Sequence, residues 1–130
     1  MSHNEEWEEK FVRAYIVKSK RERYLSFLKS SKHRHKILAR LAHALDYETS
    51  ASRNLDSQFD ANVIETLKSL GVSDRCYLIA NGSQLDGKEL PLADGVGELT
   101  FCDFGAVLIC PPKPVAVYNP EDIKRLILLS

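Results

Sequence analysis

No stretch of this chain approaches the run of about 18 apolar residues that a membrane-spanning helix requires. Its first residues, Met-Ser-His-Asn-Glu-Glu, are not the basic-then-apolar opening of an export signal. The expected location is the cytoplasm. Cysteine is scarce: Cys76, Cys102 and Cys110 are odd in number, widely spaced and set among apolar neighbours. That suits reduced core thiols better than a disulfide framework. Net charge is absent too, with 18 Lys and Arg against 18 Asp and Glu, which argues against bulk attraction to a polyanion. Low-complexity tracts are missing, so wholesale disorder does not fit. There is no Gly-x-Ser-x-Gly elbow, His-Glu-x-x-His helix, Cys-x-x-Cys pair or Gly-x-x-x-x-Gly-Lys-Ser/Thr loop. No enzyme class is identified on that basis, although enzymes that assemble sites from distant residues stay open.

What is present is enough apolar material for one core. The chain has 130 residues, of which 44% are apolar, which suits a single domain over 1–130. Its parts are a basic helical region at 1–46, a polar loop at 47–59, and a helix followed by antiparallel strands at 60–130.

The neutral sum hides an uneven distribution. Residues 18–40 carry nine Lys and Arg against one acid, Glu22, so the chain divides into −2 before this segment, +8 within it and −6 after it. Within and around it the spacing predicts helices. Trp7, Phe11, Val12, Tyr15 and Ile16 fit a helical stripe, although Phe11 to Val17 also reads as a strand, and both readings stand. Ser19 and Glu22 form a capping-box pattern that starts a helix near Lys20 and buries Tyr24, Phe27 and Leu28. Ser30-Ser31 breaks it before a second helix from about Lys32 to Leu45, which buries Ile37, Leu38, Leu41 and Leu45.

Beyond the loop, Asp60 is placed to cap a third helix with Val63, Leu67 and Leu70 on its apolar face and Gly71 as terminator. Arg75 to Ala80 reads as a strand ending at Asn81-Gly82, and Asp86-Gly87 marks a turn. Pro91 to Leu99 reads as a short helix. Ala106 to Cys110 and Val115 to Tyr118 flank Pro111-Pro112-Lys113-Pro114 as a hairpin, the first strand apolar enough for burial on both faces. Ile123 to Leu129 reads as a closing strand or a last helix, with the strand preferred. The expected fold is therefore α+β: two or three N-terminal helices packed on one face of a mainly antiparallel C-terminal sheet of about four strands.

The basic segment is the leading site candidate. With Tyr24 and Phe27 at core spacing, the functional burden falls on Lys20, Arg21, Arg23, Lys29, Lys32, Arg34, Lys36 and Arg40, while His33, Lys36, Arg40 and His43 lie on one stripe. The bland alternative is a solvated face balanced by acids elsewhere. A metal site at His33, His35 and His43 has poor geometry, because residues two apart on a helix point about 200° apart, so no metal or cofactor is expected. Cys102, beside Asp103, is the least implausible reactive thiol. The loop from Asn81 to Asp94 offers Asp86, Lys88, Glu89 and Asp94 for a small-molecule or enzymatic site, with His33 or His35 brought near by folding. The reading preferred on this basis is a non-enzymatic binding or regulatory module that contacts an anionic partner, acidic protein or nucleic acid, through basic helices at 20–45.

Overall fold

The computed structural model describes residues 5–42, 46–48, 50, 52–55, 59–80, 84–101, 106–112, 115–119 and 126–130. The first helix, α1 (Glu5–Tyr15), settles the open choice at 11–17 in favour of helix as far as Tyr15. Glu8, Phe11, Val12 and Tyr15 are buried at spacings of three, one and three along one face. Three acids in the first turn and Arg13 in the last complement the helix dipole. Glu6 with Lys10 and Glu9 with Arg13 add pairs four residues apart. Ile16 then forms an isolated antiparallel bridge with Tyr47.

A 3-10 turn (Lys18–Lys20) leads into α2 (Arg21–Lys29). The capping box does not form: the cap position falls on Lys20, and no side chain caps the helix. The 3-10 turn takes that role, with the Lys20 N–H donating to the Val17 carbonyl at 2.9 Å. Tyr24, Leu25 and Leu28 are buried, whereas Phe27 is only partly so. Ser30 ends α2 as expected, and α3 (Arg34–Ala42) begins two residues later than its expected start at Lys32. Leu45 and His43 lie outside the described residues.

The polar segment 47–59 holds a strand, β1 (Ser52–Asn54), where only a loop is expected. Helix α4 (Asp60–Ser69) follows, capped by position at Phe59 rather than by Asp60. Asp60 instead accepts a hydrogen bond from Thr100 Oγ1 at 3.0 Å. Gly71 terminates α4 in the left-handed region, at φ 84°. Then come β2 (Arg75–Ala80), β3 (Lys88–Pro91), α5 (Leu92–Phe101), β4 (Ala106–Cys110), β5 (Val115–Asn119) and β6 (Ile127–Leu129).

The strands form one antiparallel sheet in the order β1-β6-β5-β4-β2-β3. β3 and β4 both run antiparallel to β2 from opposite sides, so they are parallel to each other and α5 connects them across β2. The fold is α+β with the N-terminal helices against one sheet face. The sheet is larger than four strands because two short polar edge strands, β1 and β3, complete it.

The pleat divides the core with a period of two. Tyr77, Ile79, Val107, Ile109, Ala116, Tyr118, Ile127 and Leu129 pack with the apolar faces of α1, α2 and α3. Cys76, Leu78, Ala80, Leu108, Cys110, Val117 and Leu128 pack on the other side with Val63 and Leu67 of α4 and Leu92, Val96 and Leu99 of α5. Both faces of the central strands are thus covered, which is why Ala106 to Cys110 is apolar without interruption. Among the described residues, no helix is long and apolar enough to cross a membrane.

Candidate functional site

Helix periodicity sorts the eight favoured cations before any contact is considered. In α3, Arg34, Ile37, Leu38 and Leu41 share one stripe, at spacings of three, one and three, and all four are buried. Lys36 lies on the opposite side and is exposed, as is Lys32 in the turn before the helix. In α2 the buried stripe is Tyr24, Leu25 and Leu28, which leaves Arg23 and Lys29 exposed with Glu22 and Ser26. Lys20 and Arg21, at the helix start, are half-buried.

Arg34 is the clear correction to the expected exposed set. It is 5% exposed and clasps Glu8, itself 3% exposed, through Nη1 to Oε1 at 2.8 Å and Nη2 to Oε2 at 2.6 Å. Its Nε and Nη2 also donate to Asp86 Oδ2 and Oδ1 at 2.9 and 3.1 Å, and Nη1 to the Leu28 carbonyl at 3.1 Å. The Tyr77 hydroxyl donates to Glu8 Oε2, and Asp86 Oδ1 accepts the Ala80 N–H at 3.1 Å. Burial opposes the Arg34 charge, but the bonds from Glu8 and Asp86 outweigh it and hold the guanidinium above its ordinary pKa. This network joins α1, α3, β2 and the β2–β3 turn, and it offers no free donor face to a partner.

Arg40 is also committed internally. Its Nε and Nη2 donate to Asp46 at 2.6 and 3.0 Å, and the Tyr24 hydroxyl donates to the same carboxylate. The Arg40 bond holds the Asp46 carboxyl below its ordinary range against the opposing effect of burial, with Tyr24 and Lys20 assisting. The Arg40 side chain keeps 40% exposure, so it stands at the rim of the surface.

The remaining six, Lys20, Arg21, Arg23, Lys29, Lys32 and Lys36, have no carboxylate within 4.0 Å among the described residues. Arg21 Nε donates to the Ile16 carbonyl at 2.9 Å, and Arg23 lies over the Phe27 ring at 5.8 Å. The His33 ring stacks on Phe27 at 5.3 Å. A cation, an aromatic ring and an imidazole are therefore lined up beside the loop between α2 and α3.

The expected 81–94 loop site is dispersed. Asp86 is tied to Arg34, and β3 places Lys88 and Glu89 opposite Leu78 and Tyr77, hence on different sheet faces. Asp94 sits in the first turn of α5. Asn81 to Ser83 lie outside the described residues. His33 is half-buried and His35 exposed, and no group of three metal-ligating side chains occurs among the described residues. Cys76 and Cys110 are free and buried; burial pushes the Cys76 thiol up to about 12 and the Cys110 thiol higher still. Cys102 lies outside the described residues.

Two features were missed by sequence reasoning. Glu8 and Arg34 each occupy the first position of a buried stripe, Glu8 with Phe11, Val12 and Tyr15, Arg34 with Ile37, Leu38 and Leu41. A charge in phase with the apolar face was the available signal. The second is an open groove of about 490 Å³ between β1 and α4, lined by Arg53, Asn54, Asn62, Glu65, Thr66 and Ser69. No run of residue types marks it, because it joins an edge strand to one helix face. In comparison with known proteins, no family model, no curated protein and no solved structure matches the chain.

Proposed function

We propose that this chain is a non-enzymatic, cytoplasmic binding module that offers α2 and α3 to an anionic partner. The observation that carries the reading is the division of the eight cations. Two are absorbed by internal carboxylates, and six, Lys20, Arg21, Arg23, Lys29, Lys32 and Lys36, stand without one among the described residues. Exposed Lys and Arg gain little from distant acids in water, since a charge more than about 10 Å away is largely screened at 0.1 M salt. An incoming anion would therefore meet the local charge of α2 and α3 rather than the neutral sum of the chain. Buried, protonated thiols at Cys76 and Cys110 fit a reducing compartment.

The test is retention of the folded protein on an immobilised polyanion. Reversing Lys29, Lys32 and Lys36 to Glu should lower the eluting salt concentration sharply, and Arg53→Glu, on β1, should change it little. Equal effects from both variants would overturn the reading.

A further inference from the structure

Resting on that reading, we infer that the anionic partner is the phosphate backbone of a nucleic-acid duplex, contacted without regard to base sequence.

The first ground is what the surface lacks. Stable protein interfaces concentrate their energy in buried aromatic, apolar or Arg anchors, and Lys is depleted from them. The only large apolar side chain strongly exposed among the described residues is Phe59, at 77%. Phe59 stands at the start of α4, which packs against the sheet face opposite to α2 and α3. Four of the six available cations are lysines, and the exposed positions of α2 and α3 are otherwise Glu22, Ser26 and His35. Such a surface has little beyond Arg23 to insert into a protein pocket, but it matches rows of phosphates, for which Lys acts as a point charge.

The second ground separates a duplex from a single strand. Proteins that hold single strands provide open aromatic faces on which bases stack. The aromatic side chains of α2 are Tyr24, fully buried, and Phe27, partly buried and already engaged by Arg23 and His33. No stacking platform is free there. A duplex keeps its bases paired and turns its phosphates outward, and contact with them needs only exposed cations. Lys36 supplies one from α3 and Lys32 another from the turn before it, and Lys29 and Arg23 add to them from α2.

Counterion release makes the inference quantitative. For Z phosphates neutralised on B-form DNA, log K falls with log salt at a slope of about −0.9Z. If all six cations engage, the slope is about −5, and affinity drops about 1,000-fold between 50 and 200 mM salt. Lys29→Ala, Lys32→Ala and Lys36→Ala together remove three contacts and should bring the slope to about −3.

The experiment is a fluorescence-anisotropy titration of a labelled 20-base-pair DNA duplex with the full chain at several salt concentrations. It is run beside a 20-nucleotide oligothymidine and a labelled polyglutamate, with circular dichroism confirming each variant's fold. The expected result is duplex binding with the steep slope, little dependence on duplex sequence, weaker oligothymidine binding, and the shallower slope in the triple variant. Binding of polyglutamate but not of duplex, lost in the charge-reversed protein, would overturn the inference and leave the anionic-partner reading standing. Tighter binding of oligothymidine than of duplex would overturn the inference in favour of a single strand. Failure to bind any of the three would overturn both.

Discussion

At Arg34 the cost of burying a charge is met by two carboxylates and a backbone carbonyl. Removing one partner of such a pair strands the other without water, at a cost of about 3–5 kcal/mol, whereas replacing both by apolar groups can be close to neutral. Arg34→Met alone, which strands Glu8 and Asp86, should therefore destabilise strongly in urea unfolding, and Glu8→Leu with Arg34→Met should recover part of the loss. Additive losses would mean that the two side chains act independently. The tyrosines give a sharper contrast. Tyr24 donates to the Asp46 carboxylate, while the buried Tyr47 hydroxyl, in a ring stacked 4.3 Å from Tyr118, has no hydrogen-bond partner among the described residues. Tyr24→Phe should cost about 1.5–3 kcal/mol, the range for a hydrogen bond to a charged group, and Tyr47→Phe should cost nothing or stabilise. Asp46 also gives the chain an acid limit. Its folded pKa lies below that of an unfolded aspartate, so its contribution is present above the unfolded value of about 3.9 and is lost as pH falls through the folded one. Unfolding free energies measured from pH 6 down to pH 3 should fall less steeply in Asp46→Asn than in the parent chain.

Among the elements, the legible ones were those whose burial repeats. The strands at 75–80, 106–110 and 115–119 and the helix faces of α2, α3 and α4 follow from apolar spacing, because their side chains meet a core with a regular period. β1 and β3 escaped for the opposite reason. Ser-Arg-Asn and Lys-Glu-Leu-Pro are edge segments whose side chains face solvent on at least one side, so their pairing rests on backbone hydrogen bonds that leave no trace in composition. The capping expectations at Ser19 and Asp60 failed at the same level, since a 3-10 turn and a bond to Thr100 took their places. Gly95 in α5 shows how tightly an element can be seated. A Cβ there would meet Cys76 Sγ far inside van der Waals contact and Leu108 Cδ1 at 2.9 Å. Overpacking of this kind typically costs about 1–3 kcal/mol, against about 1 kcal/mol gained from replacing a helical glycine by alanine. Gly95→Ala should therefore lower the thermal midpoint, and adding Cys76→Ala should cost less than the sum of the two single changes.

For the molecule as a whole, the charge map read from sequence was right in sum and incomplete in direction. The +8 of residues 18–40 is present, but Arg34 turns inward and Arg40 is neutralised at the rim by Asp46. Both facts depend on acids outside the basic segment: Glu8 and Asp86 are distant from Arg34 in the chain, and Asp46 lies six residues beyond Arg40. The result is a division of labour within one helix: α3 buries Arg34 to fasten the helices to the sheet and presents Lys36 to solvent, beside Lys32 of the preceding turn. Retention on an immobilised polyanion and the urea-unfolding free energy, measured together on Lys36→Glu and Arg34→Met, test that division directly. Lys36→Glu should stay within about 0.5 kcal/mol of the parent, as surface changes do, and lose retention. Arg34→Met should lose about 3–5 kcal/mol and, in the fraction that remains folded, keep its retention. The division would be contradicted by equal destabilisation in the two variants, or by retention that follows Arg34 instead of Lys36.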